Sequence, residues 1–429
     1  MLNLVSATVL VVAAGVLAQG ANRLESRWAN PYEPFQVYGN ASYGPALQLE
    51  HLFYDQWPTG LSVASNGQIY ANFPTAVNYT NSKFTVGVIT SFTTEAAFPS
   101  VEYNQPPQGF VNPSNLNYGA GDPDHLVSVQ SVVVDALDRV WALDTGRPLL
   151  DGSVLYATTG GAKLVGFYQN GTRFANYVLP PTTAYFDTYL NDVRFDLRPS
   201  TLPSGKGVAY ITDSSNEGRN GIIVIDLGTG NSWRHLDSTP YTRGDPSFIS
   251  TYDGMTFQPI NQEPPAGTYS HLTTGSDGIA LSADGAYLYF SPLSSRRLYR
   301  VPTSYLLVEP GPVNPNAANA AIAATEFLGL MGGSHADGLE TDASGVIYVG
   351  ACEQNGITMY HPDAGMWMPF IRDPRIQWPD TLSVATNSRL YFTSNQYWRQ
   401  PAFNNGTEGR VLPYGIFSVP ISAGKVILT

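Results

Sequence analysis

The chain has 429 residues, of which 13% are charged, with a formal net charge of −12 and 41 Gly, 32 Pro and 26 Tyr. So acidic a chain repels phosphate backbones, which argues against nucleic acid as a partner, and no basic run offers a membrane-surface patch. The Gly-, Pro- and Tyr-rich composition disfavours long helices and favours many strands joined by tight turns.

The N-terminus comes first. Leu2 to Leu17 is almost entirely apolar and carries no charged side chain, and Val16 and Ala18 supply the small residues a signal peptidase requires. This predicts a signal peptide over residues 1–18, cleaved after Ala18, and one folded domain over 19–429. The run is shorter than the roughly 20 apolar residues of a membrane span. No second long apolar stretch follows, so the mature chain is expected to be soluble, off the membrane, monomeric, and secreted or held in the secretory lumen. Asn40, Asn78, Asn170 and Asn405 stand in N-x-S/T sequons within turn-like sequence and are predicted glycosylation sites.

The first predicted hairpin is WPTGLSVASNGQIY, Trp57 to Tyr70, and a near copy, WPDTLSVATNSRLY, runs from Trp378 to Tyr391. Eight of their 14 positions are identical, which marks an internal repeat at the two ends of the fold. Between them lie four weaker copies: Gln130 to Asp144, Asn191 to Asp213, Ser276 to Ser291 and Ala336 to Gly350. Each has a polar start, an alternating strand, a turn rich in Asp, Ser, Asn and Gly, and a second strand carrying an aromatic residue. Such hairpins are the inner two strands of propeller blades, so the fold class is all-β, a six-bladed β-propeller closed by the meeting of its first and last blades. Long loops are expected at Ala97 to Asp124 and Val308 to Thr325, with a short Ala-rich helix within Asn314 to Phe327. A pair of β-sandwiches would show a linker near the middle, and none is visible. Tyr70, Trp141, Tyr289 and Tyr348 recur at matching positions and are expected to pack between blades. Cys352 is the one cysteine, so no intramolecular disulfide can form, and a small buried apolar role is expected for it.

Four segments suggest a family. Asn191 to Leu197, Ala209 to Gly218, Gly221 to Leu236 and Ser276 to Val301 resemble the major royal jelly protein/yellow family, and the resemblance extends from about Leu49 to Val419. It implies a secreted six-bladed propeller. Insect members resemble dopachrome-converting enzymes, storage proteins or salivary amine binders. Some fungal members are similar to hetero-Diels–Alderases that join a quinone methide or tropolone to a terpene alkene. Insect members carry paired cysteines; a chain with Cys352 alone sits better with microbial members. The resemblance implies an enzyme of secondary metabolism without organic cofactor, acting on a small aromatic or quinone-like metabolite. A dopachrome-type tautomerase and a non-enzymatic amine binder are the competing readings.

Residues just before the inner strands should ring the channel mouth: Thr59, Gln130, Asn191, Asp192, Asp277, Asp337 and Asp380. Crowded carboxylates raise one another's pKa, so one could stay protonated as a general acid, or several could hold a calcium ion. Asp192, Asp337 and His335, inside GGSHADG, are the catalytic candidates. Trp57, Asn191, His271, Asp277, Trp378 and Asp380 are the substrate-binding candidates, the two tryptophans as aromatic walls. Asp284 and Asp342 sit in hairpin turns and are read as structural. His125 and His235 carry no comparable context. No GxSxG, P-loop, HExxH or GxGxxG motif is present, and no metal site is assigned.

Overall fold

Turns rich in Asp and Gly reverse the chain at short intervals, and the strands between them assemble into six four-stranded antiparallel sheets. The computed structural model describes residues 41–78, 81–109, 111, 114, 121–150, 153–257, 272–404 and 406–429. The predicted signal peptide, Asn40, His271 and Asn405 lie outside the described residues.

The first blade is Gly60–Val63, Ile69–Asn72, Val86–Ser91 and Thr94–Ala97, from the channel outward. The second is Val129–Val134, Val140–Asp144, Lys163–Phe167 and Arg173–Val178. The third is Leu190–Asp196, Val208–Asp213, Ile222–Asp226 and Ser232–His235. The fourth is Ser276–Leu281, Tyr287–Pro292, Leu298–Pro302 and Glu326–Gly329. The fifth is Ala336–Thr341, Ile347–Ala351, Gly356–His361 and Met366–Arg372. The sixth takes Leu382–Val384, Arg389–Ser394 and Tyr414–Pro420 from the C-terminal part and Gln48–Phe53 from the N-terminal part. Each inner strand touches the inner strands of the blades on either side, so the ring closes. The protein is therefore an all-β six-bladed propeller, and its six hairpins are those legible in the repeats.

Second strands are buried along nearly all their length, and Val140–Asp144 and Val208–Asp213 from end to end, because neighbouring blades cover both faces. Between blades two and three, Trp141 stacks on Phe195 at 5.0 Å. Tyr70, Tyr289 and Tyr348 fill the equivalent seams, as expected. Each such side chain contributes roughly 1.5–3 kcal/mol by leaving water. Asp284 Oδ1 accepts from the Ala286 N–H at 2.9 Å, and Asp342 Oδ1 from the Ser344 N–H at 2.9 Å, so both close their own turns. The insertion after the fourth blade's third strand carries a helix at Ala317–Ala323, within the predicted span, and Phe327 belongs to the outer strand that follows.

At one end of the channel the C-terminal residues cross beneath the ring. The Leu197 N–H donates to the Leu428 carbonyl at 2.9 Å, and Lys425 Nζ donates to the Val134 carbonyl. The opposite end is the mouth.

Candidate functional site

The mouth is built by a repeated irregularity. The pairing of the inner strand with the second strand skips between Leu190 and Val193, between Ser276 and Ile279, and between Ala336 and Leu339. A β-bulge of this kind leaves extra residues unpaired and re-aims their side chains. Asn191-Asp192, Asp277-Gly278 and Asp337-Gly338 occupy the three bulges. The glycines bring the blades together. A Cβ on Gly278 would collide with the Asp337 carbonyl, and one on Gly338 with the Asp380 carbonyl. Only a residue without Cβ lets these inner strands approach so closely, and the approach gathers the three aspartates.

Asp277, Asp337 and Asp380 line one cavity of about 110 Å³ together with Trp57, Asn191, Arg147, Tyr189 and Tyr397. The carboxyls are 4%, 8% and 5% exposed. Each has one strong donor. Asn191 Nδ2 donates to Asp277 Oδ2 at 2.8 Å, Trp378 Nε1 to Asp337 Oδ2 at 2.6 Å, and Asn395 Nδ2 to Asp380 Oδ2 at 2.6 Å. One donor offsets about 1.5–3 kcal/mol, less than the several kcal/mol needed to bury a carboxylate, so protonation wins. Burial first, then the charges of Asp337 and Asp380, hold the Asp277 carboxyl well above the usual range. Burial, then Asp337, does the same to Asp380. Asp337 is pushed by burial to about 7, with the hydrogen bonds from Trp378 and Asp277 opposing. Asp277 and Asp337, buried on one cavity and each acting on the other's titration, therefore hold their protons more tightly than free carboxyls. Among the described residues, no three His, Cys, Asp or Glu side chains are placed to hold one metal ion.

The other sequence-selected residues fall in different places. Trp57 lines the cavity, and its Nε1 donates to the Asn395 carbonyl at 2.6 Å. Asn191 lines it too and bridges Asp277 and Ser214. Trp378 is buried behind Asp337 rather than on the cavity wall, stacked on Tyr397 at 4.8 Å. Asp192 turns the other way. It accepts from Ser131 Oγ at 2.7 Å and from Arg194 Nη1 at 2.8 Å, and it lines a separate cavity of about 70 Å³ with Glu340 and Lys425. Its charge still reaches Asp277, Asp337 and Asp380 and raises their pKa values. His335 is fully buried behind the wall, its ring 5.2 Å from Phe248 and 5.1 Å from Trp378. Burial lowers it to about 4, so the imidazole is neutral. The Cys352 thiol is buried and pushed up, which suits an inert packing role. Asn170 is exposed in a turn, whereas Asn78 is 7% exposed.

Tyr189 directly precedes the inner strand Leu190–Asp196, whereas Arg147, Glu217 and Tyr397 escape a reading confined to inner-strand starts. In an antiparallel hairpin the end of the second strand lies at the same edge as the start of the first. Arg147 follows the strand ending at Asp144, Glu217 the one ending at Asp213, and Tyr397 the one ending at Ser394. The second-strand ends therefore carried a signal of their own. Arg147 Nη2 pairs with Glu217 Oε1 at 2.8 Å, and the guanidinium lies 5.9 Å from the Tyr189 ring centre. Tyr189 Oη donates to Gln130 Oε1 at 2.8 Å.

Comparison with known proteins places these features. The sequence profile of the major royal jelly protein family matches residues 127–409. Major royal jelly protein 7 of Apis mellifera is 27% identical over 184 residues, 42% of this chain and 36% of that protein. Major royal jelly protein 5 of Apis mellifera is 26% identical over 183 residues, 42% of this chain and 27% of that protein. The matched stretch thus spans about a third of the length of these relatives. Among solved structures, a calcium-binding regucalcin from Agrobacterium tumefaciens is 14% identical, with a TM-score of 0.48 and coverage of 89% of this chain and 95% of that one. A luciferin-regenerating enzyme is 10% identical, with a TM-score of 0.49 and coverage of 89% and 99%.

Proposed function

Because the chain belongs to the major royal jelly protein family, with a buried carboxyl pair at its channel mouth, we propose that it is a secreted enzyme that transforms a small ring-shaped metabolite by proton transfer from Asp277 and Asp337. The observation that carries this reading is the convergence of three buried carboxyls, those of Asp277, Asp337 and Asp380, on one cavity at the channel mouth. A buried carboxyl that keeps its proton up to neutral pH has the property a general acid needs.

The finer reading is an intermolecular hetero-Diels–Alder cyclisation. Asp277 gives its proton to the hydroxyl of a hydroxymethyl-bearing phenol or tropolone, and the C–O bond breaks to release water. The carboxylate pair takes the ring-hydroxyl proton, which leaves a neutral quinone methide and restores the pair. One C–C and one C–O bond then form with an alkene partner. At about 110 Å³ the cavity is smaller than the about 150 Å³ that encloses one benzene, so a substrate ring would enter it only in part. It supports activation of the diene, and the alkene would meet it at the open rim. Holding the two in a near-attack pose contributes by orientation alone.

The three carboxyls beside Trp57, Tyr189 and Tyr397 also favour a second reading, a secreted binder of small amines. An ammonium ion would need the pair ionised, whereas the pair retains a proton near neutrality, so proton donation is the stronger reading.

The test is metabolite profiling of the producing organism with the native gene, without it, and with Asp337→Asn. Loss of a ring-fused adduct in both altered strains, with accumulation of its hydroxymethyl precursor, supports the cyclase. An unchanged profile sinks it and leaves the binder, to be measured by amine affinity of the purified protein.

A further inference from the structure

Trp378 has a backbone φ of 71°, the left-handed region that bulky side chains avoid, and it precedes Pro379, which disfavours helical geometry further. The surroundings hold it there. Its ring is fully buried, stacked on Tyr397 and flanked by His335 and by Phe257 at 5.7 Å. A buried indole needs only one acceptor, and Trp57 satisfies itself on a backbone carbonyl. Trp378 instead reaches across to the neighbouring blade and donates at 2.6 Å to one oxygen of Asp337. Strained backbone held by its neighbours and aimed at a cavity carboxyl is the pattern of a preorganised site.

We propose that Trp378 is the positioning residue of the acid pair: its indole N–H stabilises the anion of Asp337, so Asp337 is the half that ionises first and Asp277 keeps its proton. This rests on the reading of the pair as proton donor, but its test needs no substrate. With the N–H in place, Asp337 is stabilised as the anion and titrates first, and Asp277, facing Asn191, keeps its proton for transfer. Without it the two carboxyls become more alike, and the proton is held more tightly by both.

The experiment is an infrared pH titration of the full-length protein carrying isotope-labelled aspartate, with the pair's signal assigned by its loss in Asp337→Asn and Asp277→Asn. Trp378→Phe keeps a ring and removes the donor. Site-specific replacement of Trp378 by its benzothiophene analogue keeps the bicyclic outline with sulfur in place of N–H, and covers the case in which the phenylalanine variant does not fold. The midpoint expected for Asp337 in the native protein is about 7, and it should rise by about one unit in the folded variants. An unmoved midpoint overturns the proposal and makes the hydrogen bond a packing detail. The two readings separate cleanly. A shifted midpoint with an unchanged metabolite profile in Asp337→Asn keeps the positioning role and removes the enzymatic one; an unmoved midpoint with a lost adduct does the reverse.

Discussion

Which carboxyl holds a proton decides the chemistry at the mouth. Asp337→Asn keeps the shape of the pair and removes its titration, so turnover of the identified substrate is expected to fall about 10²–10⁴-fold with affinity largely kept. Steady-state kinetics against binding by calorimetry separates the two. The same residue couples to folding. Asp337 keeps its proton to about pH 7 in the folded chain and loses it near the ordinary 3.8 when unfolded. Its contribution to stability is therefore complete below about 3.8 and is lost as pH rises through about 7. His335 has the opposite sign: lowered from 6.5 to about 4 by folding, it contributes above 6.5 and loses that contribution as pH falls through 4. Urea unfolding of the native protein and Asp337→Asn between pH 4 and 7 isolates the first effect, since His335 is common to both. The native protein should lose stability relative to the variant as pH rises.

At the level of the element, the β-bulge with its Asp-Gly pair does the positioning. Gly338 lies against the Asp380 backbone and Gly278 against that of Asp337. Gly338→Ala forces the fifth and sixth inner strands apart and should cost about 1–3 kcal/mol. Gly311→Ala, where a Cβ meets nothing within 4 Å, is the control and should be close to neutral. Denaturant midpoints compare the two. The Asp-Gly pairs at 277–278 and 337–338 are visible in the sequence, but their meaning is not, because the residue each glycine accommodates lies in the next blade.

For the molecule as a whole, closure rests on Gln48–Phe53 completing a sheet whose other three strands begin at Leu382. Trp57 Nε1 on the Asn395 carbonyl and Thr393 Oγ1 on the Thr59 carbonyl, at 2.9 Å, add to the join. Deleting residues up to Phe53 exposes the edge of Tyr414–Pro420, and the truncated chain is expected to lose cooperative thermal unfolding and to aggregate, as read by scattering during a melt. Among the described residues no helix is long and apolar enough to cross a membrane.

Much of this was legible from residue order alone. Hairpin spacing, alternating strands and the matched segments at Trp57 and Trp378 determine the six blades, because a blade's inner strands are local and carry their own turn signals. Asp277, Asp337 and Asp380 were legible as a set because they recur at one position of the repeat. Tertiary structure alone decided the rest. Asp192 stands at the bulge position that Gly278 and Gly338 fill in the other copies, and only the fold shows that its side chain there meets Arg194 instead of the cavity. Whether His335 meets the cavity depends on Phe248 and Trp378, distant in sequence, closing over it. The raised proton affinity of Asp277 and Asp337 needs two blades in contact and water excluded, and burial of that kind is a property of the closed ring that no single repeat possesses.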